Sequence, residues 1–185
     1  MSSPLETVAT YFIAKDGNRP HLMRRVFAED AELEMVSNTD AISFPASTKG
    51  ADAISEILGR RFSADFDNVY TFALTRPAAA DRNHFPCHWL VGMSAKKDGS
   101  LRVGTGHYDW YFTPDDRCLV SRLKIKIEMM HILPEAHLTE IMQWLSSLPY
   151  PWCAPDEMIR TMPKIGSLTD IGRYLEDTRH KVSRS

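Results

Sequence analysis

Two kinds of side chain in this sequence are equipped to move a proton: histidines embedded in apolar strands, and tyrosines standing beside other aromatic residues. His88 lies within Phe85-Pro86-Cys87-His88-Trp89, and an imidazole in an apolar cavity can exchange a proton near neutral pH. Tyr11 follows Val8 and Ala9 in a helical pattern, so its hydroxyl can enter the same cavity and stabilise oxygen charge developing there. Tyr11 and His88 are therefore the catalytic candidates, with Phe12, Trp89, Tyr108, Trp110 and Ile125 as the ligand-binding wall. His107 and Asp109 offer a further possibility, a histidine–carboxylate pair.

These residues depend on strands for their direction. In Gly106-His107-Tyr108-Asp109-Trp110-Tyr111-Phe112, Tyr108, Trp110 and Phe112 share one face, and His107, Asp109 and Tyr111 share the other. The following strand sets Leu119, Leu123, Ile125, Ile127 and Met129 against Arg122, Lys124, Lys126 and Glu128. The aromatic face is thus expected to look inward. His107 and Asp109 then belong to a surface or interface network, unless a bulge resets the parity. His84 and His88 share one parity, opposite Cys87 and Trp89, while Pro86 signals an edge or bulge and leaves the direction of His88 open.

The elements that hold these strands are legible in outline. Ser3, Pro4 and Glu6 predict a capped first helix with Leu5, Val8, Ala9 and Phe12 on its apolar face. A second short helix is expected with Leu22, Met23, Val26 and Phe27 turned to the core, then strands at Ala31 to Val36 and Ala41 to Phe44. Gly50 precedes a third helix carrying Ile54, Ile57, Leu58 and Phe62. Strands follow at Val69–Thr75, His84–Ser94, Leu101–Phe112 and Leu119–Met130, divided by turns at Lys97-Asp98-Gly99 and Pro114-Asp115-Asp116. Pro134 opens a further helix, Pro149 to Pro155 breaks it, and a last helix runs from Leu168 to His180 with Ser167 as its cap. Helices first and an antiparallel meander afterwards make an α+β fold. The expected division is a cone domain over 1–133 and a helical extension over 134–185, packed on the domain or across a dimer.

Composition narrows the function classes. With 185 residues, 43% hydrophobic, 25% charged and net charge -2, the chain reads as one globular domain and not as a polyanion binder. No nucleic-acid partner is expected, because the paired bases Arg60-Arg61 and Lys96-Lys97 stand isolated. No apolar run has membrane-spanning length and no secretory leader is visible, so the expectation is a cytoplasmic chain without a membrane partner. Cys87, Cys118 and Cys153 fit neither a zinc pattern nor a disulfide framework, and no metal or cofactor is expected. No phosphate-cradling glycine loop or HExxH motif occurs, and Gly104-Thr105-Gly106 is no nucleophile elbow.

Tyr11-Phe12, Phe27-Ala28-Glu29-Asp30-Ala31, Gly50 with Ala53-Ile54, Gly106-His107-Tyr108-Asp109-Trp110 and Leu123-Lys124-Ile125 occur in an order that resembles the nuclear transport factor 2-like superfamily. The likeness is to its SnoaL-like branch and, more loosely, to scytalone dehydratase-like proteins, over about residues 5–130. It implies a curved sheet forming a cone around helices, an apolar cavity, and dimerisation through the sheet. Ketosteroid isomerase-like members carry an acidic base where, by this resemblance, the present chain holds Met35, with Glu34 beside it. On the late strand, Trp110 stands where some SnoaL-like chains have an aspartate. The resemblance to scytalone dehydratase-like members again points to Tyr11 and His88. The resulting expectation is a metal-independent lyase or isomerase for an apolar or aromatic, polar-substituted molecule. The alternative is a noncatalytic small-ligand-binding or interaction protein.

Overall fold

The computed structural model describes residues 2–78 and 81–182, so residues 1, 79–80 and 183–185 of the two expected segments lie outside the described residues. The first helix, α1 (Pro4–Asp16), begins with the expected capping box. The Ser3 hydroxyl accepts from the Glu6 N–H at 3.3 Å, and the Glu6 carboxylate accepts from the Ser3 N–H at 2.9 Å. Two backbone donors that helix geometry leaves unpaired are thereby tied down. The buried stripe of α1 contains Val8, Tyr11, Phe12 and Lys15, whereas Leu5 and Ile13 face outward. That stripe is rotated from the expected one and ends on a charged residue.

The second helix is replaced by a 3-10 turn over Pro20–Arg25, and Phe27 already opens the strand β1 (Phe27–Ser37). The expected strand at Ala41 to Phe44 is a loop whose Ala41, Ile42 and Phe44 pack on the core. Pro45 has no N–H to give to a ladder, and pairing resumes at β2 (Ser47–Lys49). Helix α2 (Ala51–Ser55), a π-helical stretch (Glu56–Arg61) and α3 (Phe62–Asp65) follow without interruption. Four strands complete the sheet: β3 (Phe66–Ala73), β4 (His84–Ala95), β5 (Leu101–Phe112) and β6 (Val120–Leu133).

The sheet order is β2-β1-β6-β5-β4-β3. β3 to β6 form the expected meander, but β1 and β6 pair in parallel, with Leu33 opposite Leu123 and Met35 opposite Ile125. The expected curved antiparallel sheet is thus present, with one parallel pair, β1–β6, that makes it mixed. A parallel neighbour requires a long crossover, and the helices together with β3–β5 supply it. The β5–β6 register steps from Thr105↔Met129 to Gly106↔Ile127, leaving Glu128 as a bulge. Parity resets there: Met130 joins the inner core and Met129 the outer one, not the expected reverse.

Each face of the sheet has its own apolar cluster. Inside the curve, α1 and α2–α3 pack on Phe85, Trp89, Tyr108, Trp110, Leu123 and Ile125. Outside, α4 (Leu138–Ser147), α5 (Pro155–Thr161) and α6 (Thr169–Val182) cover Leu90, Leu101, Val103 and Leu133. Trp144, Leu145, Ile171 and Leu175 are their principal anchors. The Trp144 indole N–H also donates to the Met158 carbonyl at 3.2 Å, tying α4 to α5. Gly92 admits this arrangement, because a Cβ there would collide with Leu145. Ser167, the expected cap, lies inside a 3-10 turn (Gly166–Leu168) that leads into α6. No described helix is long and apolar enough to cross a membrane.

Candidate functional site

Between α1, the α2–α3 rod and the inner face of the sheet lies a cavity of about 50 Å³. Met35, Leu58, Val91, Met93, Ile125, Ile127 and Met130 give it an apolar wall. Its polar members are Lys15, Thr71, Tyr11, Tyr108 and Trp89. Among the described residues, the lining contains no carboxylate and no imidazole.

Lys15 is held there by a built network. Its ammonium donates to Asp16 Oδ1 at 2.8 Å and to Thr71 Oγ1 at 2.9 Å, and lies 4.5 Å from the centre of the Phe62 ring. Both members of the Lys15–Asp16 pair have side chains less than a tenth exposed (7% and 5%), so solvent screens their attraction little. Asp16 also accepts from the Thr71 hydroxyl at 2.9 Å, the Thr71 backbone N–H at 2.7 Å and the Tyr150 hydroxyl at 3.0 Å. A carboxylate has about four lone-pair directions, and here they are used. Asp16 is thus an anchor for the cation, with no remaining capacity to act as a base. Lys15 has three N–H groups, two of them committed to oxygen and one left facing the aromatic ring.

Tyr11 meets Trp110 at 5.0 Å and Tyr108 at 6.2 Å between ring centres, both edge to face. Such contacts leave the hydroxyl free while fixing the ring. The Trp89 indole N–H is buried without a hydrogen-bond partner. The Tyr11 hydroxyl is likewise buried and makes no hydrogen bond of ordinary geometry, its polar interaction being with the Tyr108 hydroxyl. Burial pushes the hydroxyls of Tyr11 and Tyr108 well above the ordinary phenol range, so both remain protonated. Gly106 permits the placement of Trp89: a Cβ at that position would strike the Lys126 carbonyl and stand 2.5 Å from Trp89 Cζ2. The three cysteines are free and buried, and burial raises the Cys87 and Cys118 thiols and takes Cys153 up to about 12.

Of the residues expected at the site, Tyr11, Trp89, Tyr108 and Ile125 line the cavity. Phe12 and Trp110 are fully buried behind this wall. His88 is elsewhere. It alternates with Trp89 along β4 and emerges on the outer face, where its Nδ1 lies 2.6 Å from the Tyr174 hydroxyl of α6. That hydroxyl also donates to the Gly106 carbonyl at 2.8 Å, so His88 Nδ1 must carry the proton in the bond between them. Tyr11 and His88 consequently sit on opposite sides of the sheet and cannot touch one bound molecule in this arrangement. Pro86 introduces no reversal, because β4 and β5 keep an unbroken register from His84↔Tyr111 to Ser94↔Leu101.

His107 and Asp109 are outward, as parity requires, with Asp109 lying 2.9 Å from His84 Nε2 and 3.4 Å from His107 Nδ1. No described group of three histidine, cysteine or acidic side chains has the geometry to hold a metal ion. Sequence reasoning missed Lys15 and Asp16, since charges near a helix end usually read as solvated. A signal was present: Lys15 falls four residues after Tyr11 and three after Phe12, on the buried stripe of α1.

No protein-family model matches the chain, and no curated protein matches it in sequence. Solved structures do share its fold. A protein of ketosteroid isomerase-like fold from Catenulispora acidiphila, crystallised with trimethylamine, superposes with a TM-score of 0.52 at 18% identity. That match covers 67% of this chain and 85% of the other. A nuclear transport factor 2-like superfamily protein from Salmonella enterica gives 0.50 at 15% identity, covering 65% and 85%. A hexachlorocyclohexane dehydrochlorinase from Novosphingobium barchaimii gives 0.53 at 11% identity, covering 69% and 85%. The architecture is therefore a nuclear transport factor 2-like, ketosteroid isomerase-like cone.

Proposed function

We propose that this chain is a SnoaL-like small-molecule binder whose cone receives a largely apolar molecule through an oxygen bearing full or partial negative charge. The observation that carries this reading is the Lys15 ammonium, fixed by Asp16 and Thr71 in the wall of an otherwise apolar cavity. A cation in such surroundings interacts far more strongly with an anion than it would in water. Trp89 adds an unpaired donor and Tyr11 a hydroxyl without a hydrogen bond of ordinary geometry, and each unsatisfied buried donor is worth about 1–3 kcal/mol to a ligand that completes it. The polar set therefore suits a carboxylate, an enolate or a carbonyl oxygen.

A second reading is a lyase or isomerase, favoured by the buried Tyr11 hydroxyl, which makes no hydrogen bond of ordinary geometry. In it Tyr11 and Lys15 stabilise the oxyanion that develops as a basic group of the substrate or a solvent base takes the proton, since no lining side chain is free to accept it. Such stabilisation is the largest single contribution in many enzymes. His88 has no part in this version. The dehydrochlorinase of similar fold acts on a substrate without oxygen and lends the reading a precedent of fold alone.

Calorimetric titration with benzoate and with neutral benzyl alcohol tests the binding reading. Benzoate is expected to bind at least ten times more tightly, and Lys15→Met to abolish that preference. Equal affinity for both probes would sink it. Turnover of enolisable aryl ketones, lost in Tyr11→Phe, is the result that would favour the catalytic version. The implied homodimer would use the outer sheet face that α4–α6 leave uncovered, on β1 and β6 and at the His84–Asp109 end of β4 and β5. Sedimentation at rising concentration tests that assembly.

A further inference from the structure

The cavity is too small for the molecule its chemistry suits. Drug-sized ligands occupy roughly 300–1,000 Å³, against about 50 Å³ here. A second hollow, an outer groove of about 330 Å³, adjoins it, and Ile42, Phe44 and Phe62 line both. Phe44 and Phe62 stack between them, with ring centres 6.5 Å apart and planes 18° from parallel. On its inner side Phe62 also lies against the Lys15 ammonium.

From these contacts we infer that the cavity and the groove are the two ends of one binding site, closed in this structure by the Phe44–Phe62 stack. The inference rests on the reading of Lys15 as an anion-binding group. Its occupant is an elongated amphiphile: an anionic oxygen at one end and an aromatic or acyl body behind it. When the head enters, it replaces the Phe62 ring on the free N–H of Lys15. The body then passes where the two rings now stack, and its far end lies in the groove against Pro45, Ile57 and Phe66.

Both halves of the gate stand on elements suited to move. Phe62 follows directly on the π-helical stretch Glu56–Arg61, and π-helical turns are uncommon and recur at functional sites. Phe44 lies in the strandless loop 38–46, which is tied at its ends by Asn38 N–H to Ile127 O and Met35 N–H to Ala46 O, both 2.9 Å. Opening exchanges a cation–π contact for a charge-assisted hydrogen bond, so the ligand's head itself favours the open form. A neutral molecule of the same shape lacks that advantage.

Reductive methylation read lysine by lysine in peptide mass spectra tests the gate without any ligand. Lys15 is expected to react at least tenfold faster in Phe44→Ala than in the unsubstituted protein, with exposed Lys97 unchanged. Biphenyl-4-carboxylate should slow Lys15 in both proteins, bind more tightly than benzoate, and associate faster with Phe44→Ala. Equal Lys15 rates in the two proteins overturn the gate, even where benzoate binding upholds the anion site. Faster methylation without biphenyl-4-carboxylate binding overturns the elongated occupant. If Phe44→Ala fails to fold by circular dichroism, Phe44→Leu carries the same comparison with a smaller expected acceleration.

Discussion

The inner and outer faces of the sheet are each met by a tyrosine, buried Tyr11 inside and half-buried Tyr174 outside, and treat its hydroxyl differently. Outside, the Tyr174 hydroxyl gives its proton to the Gly106 carbonyl and accepts from His88, so these two polar side chains have a use within the fold. Thr105 Oγ1 and His131 Nε2 on the same face, by contrast, are buried without a partner. Burial, and next the neighbouring His107 charge, takes His88 down to about 4, which keeps the imidazole neutral. Inside, the Tyr11 hydroxyl and Trp89 indole N–H are buried without a hydrogen bond of ordinary geometry, and Lys15 turns one N–H to a ring. A tyrosine hydroxyl thus acts as cement on one face and as a vacant donor on the other. A tyrosine or histidine is informative about function only once its partners are counted.

Substitutions can break that contrast, beginning with the largest effect. Lys15→Met leaves the buried Asp16 without its counter-charge and should cost about 3–5 kcal/mol in urea unfolding, together with loss of anion binding. On the outer face, Leu145→Ala removes a fully buried anchor of α4 and should cost about 3 kcal/mol while benzoate affinity stays the same. Tyr174→Phe strips the hydroxyl shared by His88 and Gly106; a loss of about 1–2 kcal/mol is expected, again without change in binding. A weakened ligand in either outer-face variant would show that the faces are coupled.

The smallest effect is confined to acid. The folded pKa of His88, about 4, lies below the ordinary value of 6.5, so the unfolded chain binds more protons between those limits. The contribution of His88 is therefore present above pH 6.5 and lost as pH falls through about 4. His88→Gln should match the parent in melting temperature at pH 8 and lose less of it on acidification to pH 4.5. An identical decline in both proteins would remove His88 from the account.

Strand parity made the interior legible from sequence: Tyr108, Trp110 and Phe112 are all buried, at 3%, 0% and 6% exposure. The same alternation held the correct answer for His88, because Cys87 and Trp89 flank it and only one parity can face the core. The apolar setting of the histidine nevertheless made the cavity attractive. What supplies that setting is the extension, whose α6 covers the outer face at Tyr174, and no local pattern announces which face a distant helix will cover. The Glu128 bulge was illegible for a similar reason, since an extra residue in one strand is defined only by its neighbour. Lys15 and Asp16 escaped because a buried ion pair looks, in one dimension, like an exposed one. Its burial depends on Thr71 and Tyr150, which are far from it in sequence.

The parallel β1–β6 pair has a temporal consequence. Phe27 finds its sheet partner only at Val120, and the Thr7 hydroxyl of α1 donates to the Cys118 carbonyl at 2.9 Å. A ribosome makes the first strand long before the one that completes it. Until β5 and β6 emerge, Tyr11, Phe12 and Phe27 lack Tyr108, Trp110 and Val120, their partners on those strands. Contacts that span so much chain slow folding and lengthen exposure to aggregation. The meander β3–β6, by contrast, can assemble as it is synthesised. The contacts of α1 to Thr71 and Phe62 can likewise form early, so it is the closure of the cone on β6 that must come late.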